Sequence, residues 1–115
     1  MKLLIVDDNP EVRRLIKRML SDIAEDIAEC ADGVSVLPLY RSTRPDCVLM
    51  DIEMKEMDGL AATRQLRSAF PDARVIAVSS HDAASLRDCA AQAGVFAYVL
   101  KRDLIDLRAL LLHLS

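Results

Sequence analysis

At 115 residues, 52% of them hydrophobic, the chain has the size of one domain with a full core and needs no disulfide or metal to staple it. A formal charge of −3 and an aromatic content of 3% argue against attraction to nucleic acid or anionic lipid and against a base-stacking surface. Cys30, Cys47 and Cys89 are odd in number, far apart and without a CxxC pair, which favours neither a disulfide framework nor a zinc site; they read as small apolar residues in a reduced cytoplasm.

Leu3-Leu4-Ile5-Val6 predicts a buried strand that runs into Asp7-Asp8. No signal peptide precedes it, and no uncharged run approaches the roughly 20 residues of a membrane span, so a cytoplasmic protein without membrane contact is expected. Asp8-Asn9-Pro10 breaks the strand, and Val12, Leu15, Ile16, Met19 and Leu20 then recur at helical spacing, with Pro10 near the helix start. The outer face of that helix carries Arg13, Arg14, Lys17 and Arg18, either a solvated surface or a docking stripe for an acidic partner.

Ile27-Ala28-Glu29-Cys30 predicts a short second strand closed by Asp32-Gly33. Pro38 would cost about 3 kcal/mol inside a helix, but with Ser35 as N-cap it falls at the third helical position, where its amide has no partner to lose. Arg44-Pro45-Asp46 turns into the apolar run Cys47-Val48-Leu49-Met50, which ends abruptly on Asp51. Asp58-Gly59 precedes a helix with Leu60, Thr63, Leu66, Ala69 and Phe70, stopped by Pro71-Asp72.

Val75-Ile76-Ala77-Val78 is a further strand and runs into Ser79-Ser80-His81. Asp82 is the expected cap of a small-residue helix over 83–93 that Gly94 terminates. Tyr98-Val99-Leu100 runs into Lys101, and Asp103 is the expected cap of the last helix, with Asp106 three residues on. Leu104, Leu107, Leu110, Leu111 and Leu114 fall on the core-facing arc of that helix, whereas Ile105 and Leu112 point away, as scattered surface residues or as part of a protein contact face.

Strand and helix alternate five times, which predicts a parallel sheet covered by helices on both sides with right-handed crossovers. In such a sheet the chemistry collects outside the carboxyl ends of the strands. That edge would gather Asp7, Asp8, Asp51, Ser79 and Lys101. Carboxylates so close either take up a proton or bind a cation, and an all-oxygen set suits Mg²⁺. Lys101 and Ser79 add a positive charge and a hydroxyl, the equipment for holding a phosphoryl group, and a carboxylate beside the metal can itself attack phosphorus.

Val6-Asp7-Asp8-Asn9, Leu49-Met50-Asp51 with Met57-Asp58-Gly59, Val78-Ser79-Ser80 and Tyr98-Val99-Leu100-Lys101, in that order over essentially the whole chain, resemble the receiver domain of bacterial two-component response regulators, most of all those that usually precede a helix-turn-helix output domain. The resemblance implies a flavodoxin-like three-layer (βα)5 sandwich with strand order 2-1-3-4-5. It implies that Asp51 accepts the phosphoryl group and that Asp8, Asp51 and the backbone carbonyl of Glu53 hold Mg²⁺, with Asp7 acting through water. Lys101 would pair with the phosphoryl group, Ser79 would move to hydrogen-bond it, and Tyr98 would swing inward. Glu53 and His81 stand at positions that flank the path of the hydrolytic water, and the pair is expected to set the lifetime of the phosphorylated state.

The partners so implied are a histidine kinase or histidine phosphotransfer protein and an output domain or effector, with a homodimer through the fourth helix, fifth strand and fifth helix as a further possibility. Residues 1–115 are expected to form one receiver without an output domain. The chain departs from the family at Ser79, where threonine is commoner, at Lys55, where proline is usual, and at Arg102, which replaces a proline that follows a cis bond; a cis bond before a non-proline residue costs about 2.5–4 kcal/mol. Two other readings remain open on the residues alone: an aspartyl-phosphate phosphatase of the haloacid dehalogenase type, whose start Asp51-Ile52-Glu53 resembles, and a pseudo-receiver that binds partners without being phosphorylated.

Overall fold

The apolar runs of the sequence become the strands of the computed structural model, which describes residues 1–54 and 57–114. β1 (Lys2–Val6), β2 (Asp26–Cys30), β3 (Cys47–Asp51), β4 (Val75–Ser79) and β5 (Ala97–Leu100) form one parallel sheet in the order β2-β1-β3-β4-β5. The helices are α1 (Pro10–Leu20), α2 (Val36–Thr43), α3 (Gly59–Ala69) and α4 (Ala84–Ala93); after β5 a 3₁₀ turn, Lys101–Asp103, leads into α5 (Leu104–Leu114). The flavodoxin-like order expected from the sequence is the order found, and each parallel neighbour is reached through a helical crossover.

Side chains alternate across a strand, so each strand feeds two cores. Leu3, Ile5 and Leu49 pack with Ile16 and Leu20 of α1 and with Leu104, Leu107 and Leu111 of α5. On the opposite face Leu4, Val6, Val48 and Met50 pack with Val36 and Tyr40 of α2 and with Ala62 and Leu66 of α3. A smaller cluster of Ile52, Ala77 and Ala90 lies under α4. Every residue of β3 and β4 is buried, and so is all of β1 after Lys2. Full burial of a large aliphatic side chain stabilises by about 1.5–3 kcal/mol relative to exposure, so these central strands are a rigid base for whatever stands at their ends. β5 is an edge strand and only half buried along its first two residues.

Several local expectations change. Ser35 holds the N-cap position and Pro38 the third helical one, but Ser35 makes no capping bond; its own N–H donates to Oδ1 of Asp32 at 2.8 Å. Ala83, not Asp82, is the N-cap of α4, because the Asp82 carboxylate is taken by Arg87 at 2.6 Å and Arg102 at 3.7 Å. Asp103 lies inside the 3₁₀ turn, 3.8 Å from Nε of Arg102. Leu15 is 48% exposed, since it is the outermost residue of an apolar arc wider than α1 can bury.

No described peptide bond is cis, that between Lys101 and Arg102 included. Lys55 lies outside the described residues. Ile105 and Leu112 are exposed, as their phase on α5 predicts. Burial pushes the thiols of Cys47 and Cys30 up to about 12 and about 11, in keeping with inert apolar roles, but Cys89 is exposed. No described helix is long and apolar enough to cross a membrane.

Candidate functional site at the carboxyl edge of the sheet

Four adjacent strands deliver the site. Asp7 follows β1 directly, Asp51 closes β3, Ser79 closes β4 and Lys101 follows β5. Asp7 and Asp51 are buried, at 1% and 2% exposure, while Asp8 is open to solvent. One carboxylate oxygen from each of Asp7, Asp8 and Asp51 lies within 4.8 Å of the others.

Asp7 and Asp51 are held alike. Oδ1 of Asp7 accepts the N–H of Asn9 at 2.9 Å, and Oδ1 of Asp51 accepts the N–H of Glu53 at 3.0 Å. Their Oδ2 atoms are left to Lys101, whose Nζ lies 3.2 Å from Asp7 and 3.5 Å from Asp51. Gly59 lets α3 close on this point: a Cβ there would run into the carbonyl oxygen of Asp51.

Burial is the main force on the Asp51 carboxyl and, with the charge of Asp7, pushes it up to about 6 against the pull of the Glu53 amide and of Lys101. Burial pulls Lys101 down, but Asp51 and Asp7 outweigh it and hold the ammonium above the ordinary lysine value. The three acids and one ammonium leave a formal excess of two negative charges on an all-oxygen donor set. That is the chemistry a single hard divalent cation neutralises, so the residues fit Mg²⁺.

Arg13 is a part of the site that helical phase concealed. Its guanidinium turns back from α1 to donate through Nη1 to the carbonyl oxygen of Asp7 at 2.6 Å and through Nε to Glu29 at 3.2 Å. Lys17 also pairs with Glu29 but stays exposed, as do Arg14 and Arg18, so Arg13 alone is drawn in from the outward basic stripe.

On the other flank, the Glu53 side chain bridges to the β4–α4 loop. Its carboxylate accepts the Ser79 hydroxyl at 2.7 Å and the Ser80 N–H at 3.2 Å, and lies 2.8 Å from Nε2 of His81. Burial raises the Glu53 carboxyl, but the Ser79, Ser80 and His81 contacts together bring it below the usual value. Tyr98 is half-buried; its hydroxyl donates to the carbonyl oxygen of His81 at 2.7 Å, and Arg87 lies over its ring at 4.5 Å. The sequence brought Glu53 forward for its backbone and for its pairing with His81, not for a side-chain bond to Ser79.

The family pattern of the response regulator receiver domain matches residues 3–112. This chain belongs to the response regulator receiver family. Among the relatives of this receiver is response regulator MprA of Mycobacterium sp. (strain KMS), 35% identical over 119 aligned positions that cover 99% of the chain and 52% of MprA. The receiver thus spans about half the length of the curated relatives it matches. In structure it is similar to the BeF3-activated N-terminal receiver domain of Klebsiella pneumoniae RstA, with a TM-score of 0.89 and 28% identity, covering 100% of this chain and 99% of that one. It is also similar to the receiver domain of the Arabidopsis thaliana histidine kinase CKI1 complexed with Mg²⁺, with a TM-score of 0.87 and 27% identity over 99% of this chain and 91% of that one. Receiver domains bind Mg²⁺ at an acidic pocket of this kind, and they are signalling modules, not classical enzymes. The dehalogenase-type phosphatase and the pseudo-receiver are not favoured by these matches.

Proposed function

We propose that this receiver is a phosphorylation-dependent switch that takes a phosphoryl group onto Asp51 from a histidine kinase or a histidine phosphotransfer protein. The observation that carries the reading is the meeting of the Asp7, Asp8 and Asp51 carboxylates with the Lys101 ammonium at one strand edge. Asp8, Asp51 and the Glu53 carbonyl would hold Mg²⁺, with Asp7 acting through water; when bound, the ion offsets the charge that accumulates on the transferring phosphoryl oxygens.

An oxygen of ionised Asp51 attacks phosphorus in line, the bond from phosphorus to the histidine nitrogen breaks, and its electron pair leaves on the imidazole. Lys101 pairs with the phosphoryl oxygens of the resulting aspartyl phosphate. Ser79 turns to donate to one of them, and Tyr98 moves inward behind it. In the reverse phase water attacks phosphorus, releasing inorganic phosphate and the free carboxylate, and Glu53 and His81 set the pace by flanking its approach. The domain acts on its own carboxylate only and turns over no external ester.

Hydrogen bonds to charged groups are worth about 1.5–3 kcal/mol each, and Lys101 already pairs with Asp7 and Asp51, so the Ser79 and Lys101 contacts to the phosphoryl group together add at most roughly 3–6 kcal/mol. Inverting a 1:99 equilibrium takes about 5.5 kcal/mol. A graded population shift follows.

The signal leaves through the face of α4, β5 and α5, where Phe96 and Ile105 are exposed, to an output domain or effector, or to a second copy in a homodimer. Residues 1–115 act as one receiver, in the cytoplasm, without themselves contacting nucleic acid or membrane. NMR exchange at Ser79 and Tyr98 on adding beryllofluoride with Mg²⁺ tests the switch: a partial shift is expected, no shift contradicts the switch, and complete conversion contradicts its graded character. Steady turnover of a small phosphate ester would return the phosphatase reading.

A further inference from the structure

The Glu53 carboxylate takes no part in the transfer of the phosphoryl group to Asp51, yet it is tied to the end of β4. Although exposed, it does not extend into solvent. It holds the Ser79 hydroxyl at 2.7 Å and the Ser80 amide at 3.2 Å, and His81 Nε2 stands 2.8 Å from its second oxygen. A hydroxyl has one proton, so while Glu53 holds it Ser79 has nothing to donate to another anion. The N–H of His81 donates to the Ser79 oxygen at 3.0 Å, so the serine is gripped from both sides.

We propose that the Glu53 carboxylate is a resident competitor of the phosphoryl group, occupying the hydroxyl and amide donors at the end of β4 that phosphorylated Asp51 must recruit. The inference rests on the receiver reading and adds a cost to it: the switch displaces an anion before it can close. Repulsion between the phosphoryl oxygens and the carboxylate helps to drive Glu53 out, and Ser79 becomes free as it leaves. A protein whose binding-competent form is only fractionally populated shows an affinity reduced by that fraction, so Glu53 weakens the response to phosphorylation.

Beryllofluoride binding to the full chain at saturating Mg²⁺, followed by calorimetry, is an equilibrium measurement that hydrolysis cannot disturb. Glu53→Ala is expected to bind about tenfold more tightly than the unaltered chain, the scale of one hydrogen bond to a charged group. Glu53→Gln, which keeps an oxygen for Ser79 but loses the charge, is expected to fall between. In a Ser79→Ala background most of the gain from Glu53→Ala disappears, because the hydroxyl is gone and only the longer contact to the Ser80 amide remains in dispute. Binding no tighter in Glu53→Ala overturns the inference, and so does a gain that survives undiminished without the Ser79 hydroxyl, which would mean plain charge repulsion. No binding by the unaltered chain, or binding that persists in Asp51→Ala, overturns the receiver reading itself.

Discussion

The Lys101 ammonium stands 3.5 Å from Oδ2 of Asp51, close enough to oppose the rise that burial imposes on that carboxyl. Lys101→Met therefore moves the Asp51 titration upward from about 6 and leaves more of it protonated at neutral pH. Phosphorylation by acetyl phosphate is expected to slow by roughly tenfold or more, the scale of one lost charge-assisted contact. Carboxyl NMR titration beside the rate measurement checks both effects, and an unchanged titration midpoint would contradict the assignment of Lys101.

Asp51 takes up its proton at about 6 in the fold against 3.8 for an ordinary aspartate. Between those values the folded chain binds more protons than the unfolded one, so stability falls as pH rises through the window and the loss is complete above it. About two units correspond to roughly 3 kcal/mol at most. Asp51→Asn should raise the free energy of unfolding measured in urea at pH 7 by about 1–3 kcal/mol, and change it little near pH 4. Added Mg²⁺ should stabilise the unaltered chain more than the variant.

A methyl group at Gly59 meets the backbone of Asp51 itself, not a yielding side chain. Gly59→Ala is expected to cost about 1–3 kcal/mol, as overpacking does. Because the displaced atoms carry the site, Mg²⁺ affinity falls with it. Urea unfolding and a metal titration on the same variant check the two together.

Arg13 holds the Asp7 carbonyl and Glu29 at once. Its removal in Arg13→Ala loosens the β1–α1 turn that carries both Asp7 and Asp8, and about a tenfold loss of Mg²⁺ affinity is expected. Arg13→Lys should not restore it, since an ammonium lacks the planar fork that spans the two acceptors. Metal affinities of both variants equal to that of the unaltered chain would reduce Arg13 to a surface ion pair.

The parts of the fold legible in the sequence were those set by period and position. Apolar runs mark β1, β3, β4 and β5, and the rule that chemistry sits at carboxyl strand ends is enough to bring Asp7, Asp51, Ser79 and Lys101 together. What stayed hidden depends on where long side chains reach. Helical phase puts Arg13 on the outer face, but its length lets it fold back to Asp7. Asp82 has the residue type of a cap, yet two arginines take its carboxylate. The Glu53–Ser79 bond joins residues 26 apart through two loops, a relation that no local pattern encodes.

Intact mass after incubation with acetyl phosphate and Mg²⁺, beside Asp51→Ala and a chelator control, tests the central claim most directly. One added phosphoryl group on the unaltered chain, absent from Asp51→Ala and absent without metal, is the predicted result. An adduct that persists in Asp51→Ala, or no adduct on the unaltered chain together with no binding of beryllofluoride, would contradict it.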